Sequence, residues 1–278
     1  MAAFDYELVG KIGSMALIRK EDNDIDYNIF ARLSAELRPG MIWVSSGATE
    51  IGRLDYMKRS GAPLPAQGDD AKTDYAAQGQ AILMELYRRF IAPQYSVRQV
   101  LVEHNHFNDP DKREHIRRLL LRAAQQQAIP IINYNDPVSA EENRKMELMG
   151  LREQLGDDAH IVECVDNDET ASVIATLVHA RRLVIMTSVE GIYRDPRDPA
   201  TLVEEISGKD ADEVVENVHR MQASCVGASR PGANGARAKL EYIIEPVRQG
   251  TQVIIGHARH HLRDLIEGNV PRTVVGVR

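Results

Sequence analysis

"AIPIINYNDPV", residues 128 to 138, couples an apolar run to a polar exit. Residues 128–134 are apolar at consecutive rather than alternate positions until Asn133. That is the pattern of a strand covered on both faces, whereas a half-exposed strand alternates with a period of two. Asn133, Asn135 and Asp136 then gather where the strand ends. The bland reading of this exit is an ordinary turn, because Asn and Asp side chains bond their own backbone. In an open α/β sheet, however, ligands bind beyond the carboxyl ends of the strands, so the meaning of this exit depends on what the neighbouring strands carry.

Working outward, the same kind of run recurs at 6–13, 40–47, 97–103, 182–188, 251–256 and 273–278. Between these runs lie stretches of helical period. Ile29, Leu33 and Leu37 recur along 27–37, and Ile82, Leu83, Leu86 and Phe90 share a face of 76–90. A basic stretch at 112–127 turns Ile116, Leu119, Leu120 and Ala123 inward, and 169–180 and 236–249 have similar periods. Continuous apolar strands alternating with helices predict an α/β protein with a mainly parallel sheet covered on both faces. "MKRSGAPLPAQGDDAK" (57–72), rich in Gly, Pro and charge, reads as the most mobile segment. A second break at "LGDDAH" (155–160) separates two halves of one continuous sheet. The expectation is a single domain over 1–278, with an N-terminal lobe over about 1–155 and a C-terminal lobe over about 156–278.

The composition excludes several classes. A formal charge of −7 argues against general affinity for nucleic acid, which is driven by phosphate neutralisation. Cys164 and Cys225 give no disulfide framework and fit a reducing compartment. The N-terminal stretch lacks a basic segment followed by a long apolar one, and no apolar run approaches the roughly 18–20 residues of a membrane span. The expected location is the cytoplasm, with no membrane partner.

Several strand exits carry groups suited to phosphate chemistry. The first ends in Lys11, Gly13 and Ser14: a cation, a residue permitting close backbone approach, and a hydroxyl. The second ends in Ser45, Ser46, Gly47 and Ala48, which taken singly reads equally as an ordinary turn or as one that binds phosphate or carboxylate. Asp166, Asn167 and Asp168 precede a good helix, and Asp168 taken singly reads as its cap. "SRPGANGARAK" (229–239) is a weak signal alone and is not a Walker A loop, because Ala236 and Arg237 follow Gly235. The histidines of "HARHH" (257–261) have no Cys or acidic partner at ligand spacing, so a solvated helix start outweighs a metal site and no metal-ligating residue is expected.

The order of these exits resembles the amino acid kinase family, in particular its glutamate 5-kinase branch. The family's K-x-G-S is Lys11 to Ser14, and its V-S-S-G-A is Val44 to Ala48, with Gly52 beyond. "KTDYAAQGQAILMELY" (72–87), "QVLVE" (99–103) and "IPIINYNDPV" (129–138) echo three further motifs. So do "VDNDETAS" (165–172) and "IMTSVEGIYRDPR" (185–197). The resemblance implies a three-layer α/β/α sandwich that moves the γ-phosphoryl group of ATP, accompanied by Mg2+, onto a carboxylate, with glutamate the first candidate. It implies catalytic roles for Lys11, Asp168 and Lys239, with Asp168 organising the two lysines. It places the acceptor at Ser46, Gly47, Ala48, Asn133, Asp136 and Asn167. It places the nucleotide and its phosphates at Gly13, Ser14, Thr187, Ser188, Tyr193, Gly232 and Gly235. A homo-oligomer is implied, and the RNA-binding-like domain that some members append is expected to be absent.

The physics fits these roles. Transfer through a loose transition state needs charge neutralisation and alignment, and the attacking carboxylate is already ionised near pH 7. Against the family pattern, residues 232–239 lose two threonines and a glycine, Thr187 is followed by Ser188 rather than Asp, and Tyr134 replaces a Glu. "TDY" (73–75) resembles a motif of uridylate kinases. The open alternatives are therefore another acidic amino acid, a nucleoside monophosphate or a phosphonate as acceptor, and a binding protein without catalysis.

Overall fold

The computed structural model describes residues 3–139, 141–156, 161–164, 166–224 and 235–278, leaving aside the side chains of 141 and 142. Eight strands form its central sheet: β1 (Tyr6–Ile12), β2 (Met41–Ser45), β3 (Ser96–Val102), β4 (Ala128–Tyr134), β5 (Ala180–Thr187), β6 (Glu205–Gly208), β7 (Gln252–His257) and β8 (Arg272–Val277). Their spatial order is β6-β8-β7-β5-β1-β2-β4-β3. Every neighbouring pair is parallel except β7 with β8.

Helices of at least eight residues are α1 (Tyr27–Glu36), α2 (Ala48–Ser60), α3 (Gly68–Phe90), α4 (Pro110–Gln125), α5 (Glu141–Leu155), α6 (Asn167–Leu177), α7 (Ala211–Ser224) and α8 (Gly235–Tyr242). The strands feed two cores in alternation, as the period of two requires. Leu8, Trp43, Ile131, Val184 and Ile254 meet Phe30, Ile51 and Leu83 of α1, α2 and α3 on one face. Val9, Ile42, Ile132, Ile185 and Ile255 meet Leu120, Ile174, Val218 and Leu240 of α4, α6, α7 and α8 on the other. The architecture is the three-layer α/β/α sandwich.

All seven predicted strands are present. Four-residue β6 was not foreseen, being too short to carry a period. The segment 57–72 is not a free loop: α2 runs through Ser60, α3 starts at Gly68, and only residues 61–67 connect them. The two helices pack so closely that a Cβ on Gly79 would lie 1.8 Å from the Ala48 carbonyl oxygen, and one on Gly52 would lie 1.9 Å from that of Tyr75. The stretch 236–249 is two helices rather than one, α8 and a short helix at Ile244–Arg248. Among the described residues, no helix is long and apolar enough to cross a membrane.

Candidate active site

The parallel register brings the carboxyl ends of β1, β2, β4, β5 and β7 to one edge of the sheet. Lys11 stands opposite Val44 of β2 and Ile185 of β5, near the centre of that edge. Its side chain is almost wholly buried, and Nζ lies 2.6 Å from Asp168 Oδ1. The other carboxylate oxygen, Oδ2, accepts from Lys239 Nζ on α8. One carboxylate therefore holds two ammonium groups that come from a strand and a helix far apart in the chain. Burial alone would raise the Asp168 pKa, but Lys11 and Lys239 outweigh it and hold the group down to about 2.

Asp168 is in the first turn of α6 but does not cap it, contrary to the simplest local reading. The cap is Asp166, whose Oδ1 accepts from the backbone N–H groups of Asp168 and Glu169 at 2.8 and 3.1 Å. That leaves the Asp168 side chain to the lysines. The helix N-terminus adds a partial positive charge behind the carboxylate.

The β1 exit supports the lysine closely. Gly13 N–H donates to the Met186 carbonyl at 3.1 Å, and a Cβ there would approach Lys11 Nζ to 3.7 Å. Ser14 opens a short 3-10 turn over Ser14–Leu17. At the β2 exit Ser46 N–H bonds the Ile12 carbonyl at 3.2 Å, tying the two exits together. Gly47 has φ +107, a left-handed conformation that L side chains rarely adopt, and it turns the chain into α2 at Ala48.

A row of polar side chains crosses from β2 to β4. Asn167 Nδ2 donates to Ser46 Oγ and to Asn133 Oδ1, each at 3.0 Å. Asn133 Nδ2 donates to Gln80 Oε1 of α3 at 2.8 Å. The sequence reading missed Gln80 as a site residue, although it sits within the motif at 72–87. Asp136, just beyond β4, is pushed up to about 6 by burial, with Arg144 partly opposing the shift. Tyr134 points away from this row: its hydroxyl meets His104 Nδ1 at 3.2 Å and Ser139 Oγ at 2.8 Å.

On the β5 side, Thr187 ends its strand half-buried, Ser188 is exposed, and Tyr193 lies in a two-residue strand, Ile192–Tyr193, paired with Leu202–Val203. The intervening Glu190 was not singled out from sequence. It binds Arg259 and, at 2.7 Å, His260 Nε2. His261 meets Glu36 at 2.7 Å, so two of the histidines expected to be solvated have carboxylate partners. Gly235 begins α8 with φ +59. Gly232 and most of the loop at 229–239 lie outside the described residues.

Among the described residues, no group of three or more His, Cys, Asp or Glu side chains could hold a metal ion, and both oxygens of Asp168 are engaged by lysine.

A model of the amino acid kinase family matches residues 7–257. Glutamate 5-kinase from Xanthomonas euvesicatoria is 31% identical over 233 residues, 82% of this chain and 56% of that protein. Glutamate 5-kinase from Alkaliphilus metalliredigens is 28% identical over 282 residues, covering 96% of this chain and 94% of that one. The chain thus spans little more than half the length of the Xanthomonas relative. Carbamate kinase from Giardia lamblia, solved with AMP-PNP, superposes with a TM-score of 0.60 at 14% identity over 99% of this chain and all of that one, which speaks for the fold. With the family model spanning strands β1 to β7 and every motif-bearing strand exit, the chain belongs to the amino acid kinase family.

Proposed function

We propose that this protein is an ATP-dependent phosphotransferase whose acceptor is a carboxylate, with L-glutamate as substrate and γ-glutamyl phosphate as product. The observation that carries the reading is the pair of ammonium groups, Lys11 and Lys239, held on one buried carboxylate, Asp168. Two fixed cations in a desolvated site stabilise the negative charge spread over a phosphoryl group in transfer. Asp168 limits their mutual repulsion and fixes their spacing before the nucleotide arrives.

In this reading an acceptor carboxylate oxygen attacks the γ-phosphorus. A new O–P bond forms, the bond from phosphorus to the β,γ-bridging oxygen breaks, and ADP leaves. No strong general base is needed, because the attacking group is ionised near pH 7. Ser46, Asn133, Asp136 and Asn167 hold and orient the acceptor, with Gly47 and Ala48 offering backbone N–H groups at the start of α2. Gly13 and Ser14 approach the phosphates. Thr187, Ser188, Tyr193, Gly232 and Gly235 border the nucleotide. Mg2+ bound to the phosphates supplies further charge neutralisation. The site works in a homo-oligomer in the cytoplasm, with no nucleic-acid or membrane partner.

A second acceptor is favoured by one observation. Tyr134, at the place of the family's Glu, is turned into a hydrogen-bonded group with His104 and Ser139, so a neutral side chain follows Asn133 where the family has an acid. Another anionic acceptor, such as a different acidic amino acid, a nucleoside monophosphate or a phosphonate, is the alternative. The experiment is ADP release measured over a panel of these acceptors, with hydroxylamine trapping of acyl phosphate. Glutamate-dependent hydroxamate supports the first reading. Turnover with another acceptor alone replaces it, and nucleotide binding without any turnover points to a binding protein.

A further inference from the structure

Tyr134 N–H donates to Asn133 Oδ1 at 2.9 Å. A backbone N–H can only donate, so this bond fixes which end of the Asn133 amide is oxygen. Asn133 Oδ1 also takes the bond from Asn167, which must therefore come from Nδ2. The remaining end, Asn133 Nδ2, has to donate, and Gln80 Oε1 is its acceptor at 2.8 Å. The same Asn167 Nδ2 donates to Ser46 Oγ. The hydroxyl oxygen of Ser46 is thus already an acceptor, and its proton is left to point elsewhere.

We infer that Gln80 is a positioning residue: by accepting from Asn133 Nδ2 it holds Asn133 and Asn167 in the place that leaves the Ser46 proton toward an anionic oxygen of the acceptor. The inference rests on the reading of this row as the acceptor site. Gln80 and Asn133 are both nearly inaccessible, at 7% and 2% exposure. Asn133 Nδ2 left without its acceptor carries the full penalty of desolvation there, although Gln80 Nε2 itself has no partner among the described residues. Gln80 reaches the row because its neighbour Gly79 lets α3 lie against α2 at backbone contact distance. The Ser46 proton, used by no bond within the row, suits a carboxylate or phosphate oxygen of the acceptor.

The test compares Gln80→Met, similar in volume but unable to accept, with Gln80→Glu, which burial favours as the neutral acid and which then keeps an acceptor oxygen. Gln80→Leu serves as a second apolar variant should Gln80→Met fail to fold. Expected for the apolar variant is a KM for the acceptor raised about tenfold, with KM for ATP and kcat near the parent values and Gln80→Glu close to wild type. A ligand-free readout accompanies the kinetics: slow hydrogen exchange at the Asn133 side-chain amide, lost in the apolar variant and kept in Gln80→Glu. If the apolar variant keeps both the acceptor KM and the slow exchange, or if Gln80→Glu is as impaired as the apolar variant, the positioning role is wrong. Absence of any wild-type turnover would overturn the proposed reaction instead, and the exchange measurement would still decide whether Gln80 orders the row.

Discussion

Lys11 Nζ and Asp168 Oδ1 are 2.6 Å apart, one at the exit of the central strand and the other in the first turn of α6. The pair is desolvated and shares its carboxylate with Lys239, so neutralising Asp168 leaves two ammonium groups facing each other. Asp168→Asn should lower kcat by at least about 100-fold, the scale seen on removing one fixed charge-stabilising group, while circular dichroism stays native. Lys11→Ala should do the same. Near-normal turnover in either variant would remove the proposed chemistry.

Acid pH should act on the acceptor before it acts on the lysine cluster. Asp168 titrates at about 2, below its ordinary 3.8, so its stabilising contribution is complete above pH 3.8 and lost only as pH falls through about 2. Asp136 is shifted the other way, up to about 6 by burial, so its protonated form is favoured in the fold and its charge is lost below that value. For an amino acid acceptor whose ammonium meets Asp136, KM should rise as pH drops below 6, while KM for ATP should not follow. Asp136→Asn should abolish that pH dependence. The measurement is a pair of KM profiles between pH 5 and pH 8.

The contact of α2 with α3 leaves no room for a methyl group. Gly79→Ala places a Cβ against the Ala48 carbonyl oxygen. The change should destabilise the protein by about 1–3 kcal/mol, the usual range for overpacking. Thermal unfolding checks this, and an unchanged melting temperature would contradict the packing.

Removing the true cap of α6 should loosen the helix that presents Asn167 and Asp168. Asp166→Ala should lose about 1 kcal/mol of stability, typical of an N-cap, and lower kcat through the displaced Asp168. Asp166→Asn, which keeps the accepting oxygen, should recover most of both. Denaturant melts read against turnover separate the two effects.

Glu190 joins the loop after β5 to Arg259 and His260 after β7. Glu190→Ala should release that loop from the neighbouring exit and raise KM for ATP several-fold, leaving KM for the acceptor unchanged. Equal effects on both substrates would show that Glu190 supports the whole sheet edge rather than the nucleotide side.

Much of this arrangement is written locally. Strands β1, β2, β4, β5 and β7 are legible because burial on both faces forces consecutive apolar residues, and their ends are legible because polar residues interrupt those runs. The helix α2 was less legible. Its stretch mixes charged and apolar residues with little amphipathic contrast, and it lies against α3 through the close approach at Gly52 and Gly79. The role of Gln80 was hidden for a related reason: one Gln on a mostly apolar helix face is indistinguishable from a solvated one until its partner strand is placed.

The sequence by itself determined the alternation of strand and helix, and the identity and order of the chemical groups at the strand exits, because those depend on local period and residue type. The contact of Lys239 with Asp168, 71 residues away, was implied by the family resemblance and became a distance in the tertiary structure, which alone decided that Asp166 rather than Asp168 caps the helix and that Tyr134 turns from the row of Ser46, Asn167 and Asn133. Those choices rest on which side chains are desolvated together. A carboxylate left alone in a dry site is costly, whereas one between two lysines is held ionised, and that competition is settled by distances between elements that no local stretch contains.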